Sequence, residues 1–101
     1  MATLYGYIIE SATEPTAPDK ATMISGAGAD WAGSVAVPSD GNYYLDGTGL
    51  TTDQKHWGYL YVVDGGNDTD VLALGEVTPT AGGGVVIPIF FNHYNRIRRA
   101  S

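Results

Sequence analysis

At 101 residues the chain has room for one domain with one core and not for two. Its 14 glycines and 5 prolines, with no apolar spacing sustained over three helical turns, exclude a helical bundle and favour short strands joined by turns; zero cysteines exclude disulfide staples and thiolate zinc sites. The net charge of −6 is unevenly placed: Lys20 and Lys55 alone face all 11 acidic residues before Arg96, Arg98 and Arg99 close the chain. Such an acidic body repels nucleic acid and anionic membrane, whereas the arginine end suits an acidic protein surface.

In chain order, the first residues lack a basic stretch and a long apolar run, which predicts neither signal peptide nor membrane anchor. Residues 3–9 alternate as Leu4, Gly6, Ile8 against Tyr5, Tyr7, Ile9 and predict a first strand. Pro15 and Pro18 make residues 11–20 a loop, residues 21–25 around Met23 and Ile24 read as a short strand, and glycine-rich residues 26–30 as irregular. Residues 31–37 predict a strand stopped by Pro38, and the turn residues Ser39, Asp40, Gly41 and Asn42 predict a hairpin return through Tyr43, Tyr44 and Leu45.

After a turn at residues 46–49, Leu50 and a polar link, residues 56–64 form the longest run that prefers a pleated backbone. Both of its parities, Trp57, Tyr59, Tyr61, Val63 and His56, Gly58, Leu60, Val62, are apolar enough to meet protein, so a central strand is expected. A polar turn leads to another strand at residues 71–74 with Val77, and a connection at residues 78–84 leads to the last, residues 85–91. Pro88 has no N–H for a ladder, which predicts an edge or a bulge there; a long apolar edge left bare would aggregate, so a cover is expected. The division expected is a β-sandwich over residues 1–91 and a basic docking tail over residues 92–101.

Chemistry-bearing candidates are few. Asp64, Asn67, Asp68 and Asp70 offer hard oxygen ligands for calcium, but the alternation and closing glutamate of an EF-hand are absent, and the same residues make a solvated turn. No nucleophile elbow, zinc motif or phosphate loop accompanies the imidazoles His56 and His93, so neither an enzyme nor a cofactor is expected. Exposed Tyr44, Trp57 and Tyr59 are candidates for stacking on a ligand such as a sugar. Phe90, Phe91, His93, Tyr94, Arg96, Ile97, Arg98 and Arg99 combine aromatic anchors with guanidinium groups and are candidates for binding a partner protein.

The stretch from Asp40 and Gly41 through Tyr43 and Leu45, then Leu50 and the strand from Tyr59 to Asp64, resembles small immunoglobulin-like sandwiches, both fibronectin type III modules and prealbumin-like modules with Asp-x-Gly-x-Tyr-x-Leu. The position at which the fibronectin pattern carries an aromatic residue is His56 here, which leaves open which parity of the central strand faces the core. The resemblance implies an all-β, immunoglobulin-like antiparallel sandwich of about seven short strands. Short acidic chains of this kind without a signal peptide look like virion proteins of tailed bacteriophages. That likeness implies a non-enzymatic capsid decoration protein made in the host cytoplasm, partnered by the major capsid protein and by copies of itself. A tail or fibre component, or a carbohydrate-binding module at a host surface, is the alternative.

Overall fold

The structure is a computed structural model; it describes the backbone of residues 3–36, 42–63, 70–80, 85–91 and 97–99, and the side chains of residues 3–36, 48–63 and 70–80. In chain order the described elements are β1 (Thr3–Glu10), α1 (Lys20–Ser25), β2 (Trp31–Ala36), β3 (Asn42–Gly47), β4 (His56–Val63), β5 (Leu72–Val77), β6 (Val85–Phe91) and β7 (Ile97–Arg99). The fold is therefore mostly β. A four-stranded antiparallel sheet has the order β2-β1-β4-β5, and a three-stranded antiparallel sheet has the order β3-β6-β7.

The central pair of the larger sheet is β1 and β4, the two eight-residue strands that are apolar on both parities. On the even parity, Ile8, Leu60 and Val62 are 0% exposed and Leu4 1%. On the odd parity the register sets Tyr5 against Tyr61, Tyr7 against Tyr59 and Ile9 against Trp57, an aromatic ladder across two strands. Tyr5 and Tyr61 stack with centroids 6.2 Å apart, and Tyr7 meets Tyr59 edge-on at 6.3 Å. Each such pair adds about 0.5–1 kcal/mol beyond its buried area. The strand predicted as central is thus central, and both of its faces are used.

Several expectations are overturned. Residues 21–25, read as a strand, belong to α1: Asp19 caps the helix by accepting from the Thr22 N–H at 2.8 Å, and Gly26, at φ 73°, ends it by donating its N–H to Thr22 O. Two good caps outweigh the β-branched content of a helix too short for any periodicity to show. The hairpin expected from β2 to β3 does not form, because β2 pairs with β1 and β3 with β6, so the chain changes sheets between them.

Nor is β6 a bare edge: it is the middle strand of the smaller sheet. At Pro88 itself β3 pairs through Tyr44 while β7 reaches only Ile89 to Phe91, so among the described residues this position is paired on one side alone, the setting in which a strand accommodates proline. Of the residues expected in the basic docking tail, Ile97, Arg98 and Arg99 form β7. The smaller sheet has the third-sixth-seventh order of an immunoglobulin constant-type domain, but the larger has β1 and β4 inside where that topology has its second and fifth strands.

Candidate functional site

The connection from β1 to β2 is far longer than a hairpin needs, and its use is to cover the aromatic ladder. Three ladder residues hold it by their polar ends. Trp57 Nε1 donates to Ser11 O at 3.1 Å, the Tyr59 hydroxyl to Pro15 O at 3.4 Å, and the Tyr7 hydroxyl to Ala27 O at 2.9 Å. Two backbone bonds and one to a side chain tie down its ends: Ser11 N donates to Lys55 O, Asp30 N to Ile8 O, and Glu10 N to an Asp30 carboxylate oxygen at 2.6 Å. Met23, 1% exposed, drops from α1 into a cluster with Tyr7, Tyr59 and Tyr61. Burial, then the Asp30 charge, raises the Tyr7 hydroxyl pKa; burial, then Glu14 and Tyr7, raises that of Tyr59.

At the other end of this face β4 begins with His56, fully buried and paired across the ladder with Glu10. Its Nδ1 lies 2.8 Å from Gln54 O, and since a carbonyl only accepts, Nδ1 carries the proton. Nε2 lies 3.7 Å from Glu10 Oε1 and has no hydrogen-bond partner among the described residues. Glu10 also lines an open depression of about 400 Å³ with Ser11, Ala12, Asp53, Gln54 and Lys55. Of the pair only Glu10 lines that depression; His56, with no exposed surface, sits behind it at the strand end.

The sequence-predicted residues part company here. Tyr59 is 1% exposed and its hydroxyl holds the strap, so it offers no ring face to a ligand, which corrects its candidacy for stacking; Trp57 is half-buried, with its indole N–H on Ser11 O. Tyr44 lies in β3, opposite Pro88 of β6. Asp70 is fully exposed and pairs with Lys20 at 3.8 Å; Asp64 and Asp68 lie outside the described residues, and among those described no three acidic or imidazole side chains gather to hold a metal. Phe90 and Phe91 lie in β6, and Ile97, Arg98 and Arg99 in β7, with Phe90 opposite Arg98 and Phe91 opposite Ile97. His93, Tyr94 and Arg96 lie outside the described residues.

What sequence reasoning missed is the strap and the assignment of the aromatic parity to it. The available signal was the proline-bearing connection lying next to strands whose odd positions are Tyr and Trp, residues that need both an apolar bed and a hydrogen-bond acceptor. Among the described residues no helix is long and apolar enough to cross a membrane. Comparison with protein-family models, curated proteins and solved structures returns no match, so the reading of function rests on the chain's own geometry.

Proposed function

We propose that the chain is a non-enzymatic structural protein that assembles with other proteins through the outer face of its three-stranded sheet, and that its setting is the exterior of a tailed-phage head, as a decoration protein on the major capsid protein. The two sheets pack as a sandwich in this reading. Tyr43, Leu45, Val85, Ile87, Ile89, Phe91 and Ile97 fall on one parity of the smaller sheet, with Arg99 at its β7 end, and the apolar set suits the buried even parity of the larger, Leu4, Ile8, Leu60 and Val62.

The observation that carries the proposal is the register of the opposite parity. Asn42 pairs with Phe90 and Phe90 with Arg98, while Tyr44 pairs with Pro88, two residues along the same strands. Tyr44, Phe90 and Arg98 therefore share one face, and Tyr, Phe and Arg are residue types enriched where proteins bind each other. An arginine there, on a chain of net charge −6, suits an acidic capsid surface. Many symmetric copies multiply a weak contact of this kind through avidity.

Since Ile97–Arg99 are a strand, deleting the C-terminus would strip an edge from the sheet, and point variants are the cleaner test. Phe90→Ala and Arg98→Glu, supplied to assembling particles, are expected to keep the wild-type circular dichroism yet lose incorporation, each weakening the contact by about 2 kcal/mol or more, roughly 30-fold. Particles that retain both folded variants at wild-type occupancy would overturn the reading.

A further inference from the structure

The two outer strands of the larger sheet are treated differently. The outer strand β5 carries devices that discourage a further strand: the register slips between Gly58 and Tyr59 of its partner, Gly75 sits at φ 89°, and Glu76 adds a charge. In addition, β7 lies against it. The outer strand β2, reading Trp-Ala-Gly-Ser-Val-Ala, has none of these devices: no charge, no proline, no bulge, and among the described residues no partner on its outer side. Alternate residues of an antiparallel strand turn N–H and C=O to one side, so about three of its six residues present both to an incoming strand.

We infer that β2 is a self-association edge, at which a second copy of this chain adds its own β2 antiparallel across a twofold axis, joining the two four-stranded sheets into one continuous sheet. Three features select a second copy. An antiparallel strand is its own complement under a twofold, residue i meeting j while j meets i. An uncharged strand sets no carboxylate against another when two acidic chains meet, and it holds nothing to attract a basic partner. Its exposed positions, Ala32, Ser34 and Ala36, are small enough for close approach. Beside the edge, a groove of about 140 Å³ between α1 and β2 is lined by Ile24, Ser25, Gly26, Gly33 and Ser34, and Ile24 is 51% exposed, the one large exposed hydrophobic among the described residues. A strand added at β2 brings its side chains toward that groove.

This inference deepens the assembly reading by naming a second face, and the two fail separately: one on particle incorporation through Phe90 and Arg98, the other on the oligomeric state of the purified chain. Sedimentation equilibrium of the full chain is expected to show a dimer. Ser34→Lys and Ser34→Glu, each bringing like charges together at the twofold, are expected to be monomers with unchanged circular dichroism, melting where the wild-type chain melts once it is diluted to monomer. Mixing the two variants is expected to restore a heterodimer. A wild-type chain that stays monomeric, whether because β2 serves a different protein or none, overturns the inference; so does a dimer that both charged variants leave intact, or a mixture that does not recombine.

Discussion

Glycine 26 shows how one residue serves two constraints. It ends α1 in the left-handed region, and a Cβ built there would stand 2.8 Å from the Ala32 Cβ of β2, so conformation and contact both demand glycine. Gly49, at φ 78°, meets the first demand alone, with nothing among the described residues within 4 Å of a Cβ. Gly49→Ala is therefore expected to cost about 1–2 kcal/mol in chemical denaturation, and Gly26→Ala about 1 kcal/mol or more beyond that. Removing the clash with Ala32→Gly should recover the excess in the double variant but not the conformational part, and equal costs at the two glycines would show that the close approach is not felt. The same scale explains why Tyr59 was legible as an important strand residue but not as a strap anchor: its type is written in the sequence, whereas its partner, Pro15 O, lies 44 positions away and is fixed only by the pairing of β1 with β4.

Among elements, legibility followed the strength of the local signal. β4 could be read because eight consecutive residues favour a pleated backbone on both parities, and β6 because Val85 to Phe91 offers nothing else. α1 could not be read from periodicity, since six residues span less than two turns, although Asp19 and Gly26 bracket it as a cap pair. The sheet to which β3 belongs was illegible for a different reason: turn residues announce a reversal but not whether the chain returns to the same layer. That Asp19 caps α1 has a pH consequence. Its hydrogen bonds from Thr22, the side-chain bond first, hold its carboxyl below the usual carboxylate value, so the cap's contribution is complete above that value and is lost as pH falls through the lowered one. Amide protection at Thr22 and Met23, taken relative to the intrinsic exchange rate at each pH, is expected to fall on acidification before that of β4 does, and Asp19→Asn, which caps without titrating, is expected to flatten the change. Exchange in α1 that tracks β4 at every pH would show that the helix opens only with the whole fold.

At the scale of the molecule, the larger sheet is closed on its aromatic side by a strap whose hold depends on tyrosines remaining neutral. Tyr7 and Tyr59 are 5% and 1% exposed, they touch edge-on, and Asp30 and Glu14 add negative charge nearby, so a tyrosinate in this layer is opposed by lost hydration first and by carboxylates second. The folded-state values lie above the ordinary 10.0, which fixes the sign: below that pH both states keep their protons and the stability is intact. As pH rises through it, the unfolded chain ionises first, and stability falls until the folded hydroxyls follow. Melting temperature plotted against alkaline pH is thus expected to fall, with strap residues such as Ala27 exchanging their amides before β1 and β4 do. Tyr7→Phe with Tyr59→Phe gives up two hydrogen bonds, about 1 kcal/mol each, and so starts lower. The double variant is nevertheless expected to decline less steeply, because lysines and the other tyrosines titrate alike in both proteins. Parallel declines would mean that the aromatic layer opens to water before its hydroxyls ionise, and that the strap is held by apolar contact of Met23 with Tyr7, Tyr59 and Tyr61 rather than by its hydrogen bonds.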